Sequence, residues 1–272
     1  MKVAIYQFSP EFGEKEKNLK KIEQTLKKTD AELIVLPELC TTGYQFTSQE
    51  EVHSLCEPIS DGKTVHEFIQ FCKERKIFLV AGMGEIENGK VYNSAILIGP
   101  DGFIGKYRKV HLFWDEKKWF APGDLGFSVW NIGPAKIGLM ICFDWIFPEA
   151  ARSLALQGAE IICHPSNLVL PYCQNAMITR SIENRVFSIT ANRVGTEKRG
   201  NKTMLKFTGG SQVVDPKGEV IFRLGSDIEE LREAEINPAL ARDKQITPEN
   251  NIWEDLRPEM YILPANVKRR EK

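Results

Sequence analysis

The sequence predicts one α/β domain of mixed sheets with helices on their outer faces. Three observations predict it. Short, wholly apolar runs alternate with segments whose apolar residues recur at helical spacing. Asn-Gly and Pro-Asp-Gly turns add antiparallel hairpins to that alternation. No linker, low-complexity tract or charge block divides the chain internally.

The elements follow in order. A strand is expected over 3–8, and a charged helix over 14–28, where Leu19, Ile22 and Leu26 share a stripe. The run over 33–36 is wholly apolar, which suits a strand buried on both faces. Val65, Phe68, Ile69 and Cys72 predict a helix over 64–76, followed by a buried strand over 77–81. Asn88-Gly89 turns a hairpin between Glu85-Ile86 and Val91-Tyr92. Pro100-Asp101-Gly102 turns another, between 94–98 and Phe103-Ile104-Gly105. The second half repeats the theme. Strands are expected over 136–142, 160–163 and 188–194. Phe147, Ala150, Ala151 and Leu154 predict one helix, and Ile178, Ile182 and Val186 another. Asp215-Pro216-Lys217-Gly218 turns a further hairpin. The domain is expected to span 1–242. Residues 243–272 are polar and punctuated by Pro248, Pro258 and Pro264, which predicts an extended arm. Trp253, Tyr261 and Ile262 would be out of place in a free tail, so the arm is expected to pack on something, with a subunit interface the candidate.

Composition excludes several function classes. The chain has 272 residues, 42% apolar and 27% charged, the balance of a soluble globular protein. Lys plus Arg number 36 and Asp plus Glu 37, a net charge of −1, which argues against bulk nucleic-acid binding. No apolar run approaches the ~20 residues a membrane helix needs. The start, Met1-Lys2-Val3-Ala4-Ile5-Tyr6-Gln7, does not read as a signal peptide. Six cysteines without a Cys-x-x-Cys pair read as reduced thiols, so a cytoplasmic protein is expected.

Most familiar motifs fail. Gly82-Met83-Gly84 lacks the third glycine of a dinucleotide fingerprint, and a hairpin explains its glycines better. His53, His66, His111 and His164 are never paired at i+3 or i+4, so no metal site is expected. His111 and His164 read as hydrogen-bonded structural residues. Three segments remain in which a buried-looking strand leads into a titratable residue. Glu38 follows Leu33-Ile34-Val35-Leu36-Pro37, Lys109 follows Gly105-Lys106-Tyr107-Arg108, and Cys142 ends Ile137-Gly138-Leu139-Met140-Ile141. Ligands of open α/β sheets bind beyond the carboxyl ends of strands, so a Glu, a Lys and a Cys can converge there. Singly, Glu38 also reads as half of a structural ion pair, Lys109 as a solvated surface group, and Cys142, like Cys163, as packing.

Taken together, these segments resemble the nitrilase, or carbon–nitrogen hydrolase, superfamily. Leu36-Pro37-Glu38 with Thr42-Gly43-Tyr44 is similar to that family's Glu segment. Tyr107-Arg108-Lys109-Val110-His111-Leu112 is similar to its Lys segment, and Cys142-Phe143-Asp144-Trp145-Ile146-Phe147-Pro148-Glu149 to its nucleophile segment. The key residues lie 71 and 33 positions apart, in the family's order. Glu116, ahead of Pro122-Gly123-Asp124, matches a second glutamate, with Asp115 its neighbouring competitor. The resemblance implies an αββα sandwich that dimerises to αββααββα, or assembles further, through the helix after Cys142 and the helix around 174–187. It implies no metal and no organic cofactor.

Chemistry gives each residue a role. A thiol of ordinary pKa ~8.5 is mostly protonated at neutral pH, so Cys142 needs a base, for which Glu38 is the candidate. Lys109 and the Phe143 backbone N–H would stabilise the charge that develops when the thiolate attacks an amide or nitrile carbon. Glu38 then protonates ammonia and activates water against the thioester. Glu116 would orient Lys109 or the substrate nitrogen. Cys142 has no histidine partner of the papain kind. Carbamoyl-amino-acid hydrolases of the family usually carry basic residues just after the nucleophile, where this chain has Trp145 and Ile146. Tyr44, Trp114, Trp145 and Asn167 suggest a compact, partly aromatic pocket for a small substrate. The expectation is an amidase first and a nitrilase second, with an N-carbamoyl amidohydrolase, an ammonia-channelling glutaminase module and a catalytically silent scaffold as alternatives.

Overall fold

A computed structural model describes residues 1–261; Ile262, Pro264 and the charged end over 268–272 lie outside the described residues. The chain divides into two compact units, the first Met1–Arg242 and the second beginning at Asp243.

The first unit holds two six-stranded mixed sheets. The first sheet is built from β1 (Lys2–Gln7), β2 (Leu33–Val35), β3 (Phe78–Glu87), β4 (Lys90–Gly99) and β5 (Gly102–Arg108), with a late strand completing it. The second takes β6 (Val129–Asn131), β7 (Lys136–Leu139), β8 (Ile161–Ser166) and β9 (Phe187–Asn192). Between the main strands lies a short ladder of β10 (Thr196–Glu197) and β11 (Leu205–Lys206). β12 (Gln212–Val214) and β13 (Val220–Arg223) return to the second sheet, and β14 (Glu230–Glu235) closes the first. The orders are β14-β1-β2-β3-β4-β5 and β13-β12-β9-β8-β7-β6. Read from β14 and from β6, both sheets show the same pairings: antiparallel, parallel, parallel, antiparallel, antiparallel. The second half does repeat the first.

The sheets pack face to face, β1 against β9 and β3 against β8. Alternation along β1 shows the layering. Ala4 and Tyr6 join a cluster with Leu19, Ile22 and Leu26 of helix α1 (Lys15–Leu26), while Val3 and Ile5 are buried on the opposite face. After α2 (Gln49–Leu55), helix α3 (Lys63–Arg75) brings Val65, Phe68 and Cys72 to the same outer layer. The one-turn α4 (Glu116–Trp119) follows, and α5 (Pro148–Leu156) and α6 (Cys173–Asn184) cover the second sheet. The unit is therefore the expected αββα sandwich.

The turn signals act as read. Asn88 (φ +52°) and Gly89 (φ +74°) take left-handed conformations in the two-residue β3–β4 turn. Asp215 Oδ1 accepts from the Lys217 and Glu219 N–H groups in the β12–β13 turn.

One helix needs correction. Ile178 and Ile182 mark α6, Val186 is buried beyond its end, and the helix turns Cys173, Met177 and Ser181 to the core. Ile182 is exposed, and with Ile178 it lies over Gly218 of the hairpin, where a Cβ would meet Ile182 Cγ1 at 2.5 Å. Small and polar residues can face the second sheet because that sheet offers polar partners: Ser181 Oγ donates to Ser188 Oγ at 2.8 Å.

In the second unit the chain folds back on itself locally. A short ladder pairs Gln245–Thr247 with Asn250–Asn251, and a 3₁₀ turn covers Pro258–Met260. Lys244 Nζ lies 5.4 Å from the Trp253 ring centroid.

Candidate active site

Glu38 is placed by backbone. After β2 the chain runs through buried Leu36 and Pro37, and Gly82 of β3 lies against the turn. Gly82 N–H donates to the Pro37 carbonyl, and Cys40 N–H donates to the Gly82 carbonyl. A Cβ on residue 82 would fall 2.4 Å from Glu38 Cα, so only glycine permits this approach. Leu39 then takes φ +49°, turning the chain away once Glu38 has been presented.

Lys109 is placed by its neighbour. Arg108 binds Glu85 through Nη2 (2.6 Å) and Nε (3.1 Å), stacks 3.8 Å from the Tyr92 ring centroid, and reaches Asp124 at 2.8 Å. This network fixes the end of β5 and turns Lys109 the other way, to the interior, where its N–H donates to the Asn93 carbonyl.

Buried Lys109 Nζ lies 2.7 Å from Glu38 Oε1 and 2.7 Å from Glu116 Oε1. Asn93 Nδ2 donates to Glu38 Oε1 at 2.6 Å. The Tyr44 hydroxyl donates to Glu116 Oε1 at 2.7 Å, and the Phe113 N–H to Oε2 at 3.2 Å. Glu38 Oε2 is buried without a partner. Such a group is costly unless something meets it, a substrate proton or water in a working site. Asp115 is not the second glutamate's rival in space. It pairs with Lys118 and Lys202 on the surface, while Glu116 points inward from the single turn of α4.

Cys142 follows β7 and opens a 3₁₀ turn, Cys142–Ile146. Its φ is +42°, strained for a residue with a Cβ. Asp144 anchors the turn. Its Oδ2 accepts from the Ile141 N–H (2.8 Å) and the Tyr107 hydroxyl (2.8 Å), and its Oδ1 from the His111 N–H (3.2 Å) and Nδ1 (2.7 Å). One carboxylate thus ties the Lys109 segment to the Cys142 segment. His164 Nε2 donates to the Cys142 carbonyl at 2.9 Å. Both histidines are hydrogen-bonded, as the sequence suggested.

The charges interlock. Burial, then Glu38, push the Cys142 thiol well above its ordinary value; Lys109 opposes them. At neutral pH this favours the protonated thiol. Burial lowers the Lys109 ammonium, but Glu116 and Glu38 overcome it and hold it charged. Burial pushes Glu116 up to about 7, against the pull of Lys109. Burial pushes Tyr44 up, so its hydroxyl remains a donor.

A narrow cleft opens at Cys142, lined by Phe113, Phe143, Trp145, Asn167, Leu168, Val169 and Leu170. Asn167 is buried with both amide atoms unpartnered. A second, small hollow borders Tyr44 and Glu116, with Trp114 on its wall. Trp145 and Asn167 thus stand at Cys142, Tyr44 stands at Glu116, and the exposed Trp114 lies in the second hollow, outside the cleft at Cys142. Among the described residues, no group of three or more His, Cys, Asp or Glu is arranged to hold a metal ion.

Sequence reasoning missed Asn93, Asp144 and the Arg193–Glu197 pair. Arg193 Nη1 meets Glu197 at 2.8 Å, and Glu197 in turn accepts from the Tyr44 and Gln45 N–H groups. That pair holds the loop carrying Tyr44. Asn93 could have been found only through the β3–β4 register. Asp144 lay inside a segment already singled out.

Residues 2–245 match the model of the carbon-nitrogen hydrolase family. The chain is 47% identical over 265 residues to a nitrilase of Pyrococcus abyssi, covering 96% of this chain and 99% of that one. A carbon-nitrogen hydrolase from Helicobacter pylori G27 shares the fold with a TM-score of 0.84 at 26% identity, covering 96% of each chain. A variant of the amidase from Nesterenkonia sp. AN1, in which acrylamide has added to the active-site cysteine, gives 0.75 at 25% identity, covering 90% of this chain and 96% of that one. Family model, fold and relatives agree: the chain belongs to the carbon–nitrogen hydrolase family of the nitrilase superfamily and is a hydrolase of carbon–nitrogen bonds other than peptide bonds.

Proposed function

We propose that the chain converts a small, uncharged amide to a carboxylic acid and ammonia through a thioester on Cys142. The observation that carries this is the buried trio of Glu38, Lys109 and Glu116, whose charges act on the thiol of Cys142 where it lines an apolar cleft. Cys142 gives its proton to Glu38, whose Oε2 is otherwise unmet, and Sγ attacks the carbonyl carbon. Charge on the carbonyl oxygen is met by Lys109 Nζ and the Phe143 N–H. As the tetrahedral adduct collapses, the C–N bond breaks and Glu38 returns the proton to the departing nitrogen. Water, deprotonated by Glu38, then cleaves the thioester and frees the thiol.

Glu116 keeps Lys109 aimed, and Tyr44 keeps Glu116 aimed. Asn167 is assigned to the substrate, because its unpartnered amide at the cleft has the donor and acceptor an amide needs. Trp145 bounds the acyl group, and Trp114 lines the second hollow beside Tyr44. The cleft's lining includes no cationic side chain, which disfavours a carbamoyl-amino acid anchored by its carboxylate. A nitrile is the second candidate substrate, favoured by the 47% identity to the Pyrococcus nitrilase.

The protein is proposed to act in the cytoplasm, with buried, unpaired thiols as support. No helix among the described residues is long and apolar enough to cross a membrane. It is proposed to work as a homodimer or higher homo-oligomer; Ile146, Leu156, Ile182 and Ile221 are exposed on and beside α5 and α6. The arm from Asp243 is proposed to serve that assembly. A chain truncated before Asp243 with an unchanged number of protomers in solution and unchanged stability would contradict the arm's role.

Ammonia release from short amides, matching nitriles and carbamoyl compounds, with Cys142→Ala as control, tests the reaction. Release from the amides that vanishes in the variant is expected. Release from nitriles alone would transfer the assignment to the second candidate. Equal release from both proteins would refute Cys142 as nucleophile.

A further inference from the structure

We propose that His164 is a positioning residue for the oxyanion site: it fixes the peptide between Cys142 and Phe143 so that the Phe143 N–H points at the developing charge. The proposal rests on the Cys142 mechanism above. Its basis is the geometry of one peptide. In a trans peptide the carbonyl and the next N–H share a plane and point to opposite edges. Whatever holds the Cys142 carbonyl therefore also aims the Phe143 N–H.

His164 holds that carbonyl. It sits on β8, fully buried, with Nε2 2.9 Å from the Cys142 carbonyl oxygen. A carbonyl only accepts, so Nε2 carries the proton. Nδ1 lies 3.2 Å from Thr190 Oγ1 on β9, and the Thr190 hydroxyl donates to it. Ser166 Oγ lies 3.2 Å from Nε2 and 3.4 Å from Nδ1. The tautomer is thus set by partners on both sides, the way second-layer groups set a histidine's orientation. Burial pushes the imidazole down to about 4, so it stays neutral near pH 7 and adds no charge beside Lys109.

The need for such a clamp is visible in the backbone. Cys142 stands at φ +42°, a conformation an L-residue leaves unless its surroundings hold it. Asp144 secures the N–H before the strained residue, at Ile141, and His164 secures the carbonyl after it. The hydrogen bond also polarises the peptide, which strengthens its N–H as a donor.

The test separates aiming of the N–H from placing of the thiol. An aliphatic aldehyde adds to Cys142 as a tetrahedral hemithioacetal: an S–C bond forms, the C=O π bond breaks, and its oxygen takes the charge or proton. Its affinity reports the oxyanion site. Iodoacetamide alkylates the thiol by displacing iodide at a saturated carbon and makes no oxyanion. His164→Leu is expected to lower kcat and weaken aldehyde inhibition together, by about 10- to 100-fold. It should leave KM and the alkylation rate within about twofold. His164→Gln, whose amide reaches the same carbonyl, should restore most of both. Alkylation that falls in step with turnover would overturn the proposal, since His164 would then merely hold the thiol. Unchanged aldehyde affinity, or His164→Gln no better than His164→Leu, would also overturn it. Should His164→Leu fail to fold, Thr190→Val, which removes the tautomer-setting hydroxyl, is expected to show the same split at smaller amplitude. Cys142→Ala that still turned over amide would refute the underlying reaction and this assignment with it. A silent Cys142→Ala beside an unchanged His164→Leu would refute this assignment alone.

Discussion

Lys109 Nζ sits 2.7 Å from Glu38 Oε1 and leaves the other oxygen of Glu38 bare. One oxygen is thereby committed to structure and the other is available for a proton. Glu38→Gln keeps the acceptor that faces Lys109 but cannot take the thiol's proton. It should fold normally and lose turnover by about 10³-fold or more, read as kcat with unchanged Tm. Normal kcat in that variant would remove Glu38 as the base.

Lys109→Met leaves two carboxylates facing each other in a buried site. A buried charge stripped of its partner costs about 3–5 kcal/mol. Denaturant unfolding should show a loss of that order together with complete loss of activity. A silent variant of full stability would mean that the carboxylates share a proton in its absence, and its stability should then fall as pH rises.

Glu116 is raised from its ordinary 4.5 to about 7 by burial. Its three donors, Lys109, Tyr44 and the Phe113 N–H, all serve the ionised form, so activity should require it charged. kcat/KM is therefore predicted to rise with pH through about 7. The Tyr44 hydrogen bond lowers this carboxyl, so Tyr44→Phe should move the limb to higher pH, and Glu116→Gln should abolish it. Stability has the opposite sign. Between 4.5 and about 7 the native state binds a proton that the unfolded chain does not, so this residue's contribution to stability falls as pH rises across that window.

Gly82→Ala would drive a Cβ into the backbone at Glu38, whereas Gly89→Ala meets no atom within 4 Å and bears only its left-handed φ. The first should cost about 1–3 kcal/mol or more and impair kcat. The second should cost about 1–2 kcal/mol and leave kcat alone. Equal kinetic effects would mean that Gly82 does not position Glu38.

These contrasts show what was legible in the sequence. Glu38 could be read because an apolar run leading through Pro37 into a carboxylate is hard to explain as surface. Strands and hairpins could be read because period and turn chemistry are local. Glu116 and Asp115 could not be told apart by local chemistry, since a single helical turn decides which faces Lys109. The α6 stripe misled because Ile178 and Ile182 are apolar yet lie over Gly218, while Ser181 faces a polar strand. Asn93, His164 and Asp144 act through partners 55, 22 and 37 positions away, and such distances close only in the fold.

The proposed reaction passes through a covalent acyl group on Cys142. Quenching the enzyme during turnover of a short amide and weighing the Cys142 peptide tests it directly. The expected result is a mass increase equal to the acyl group less one hydrogen, chased away by further incubation and missing from Cys142→Ala. An unmodified Cys142 peptide during active turnover, with Cys142→Ala still releasing ammonia, would contradict it.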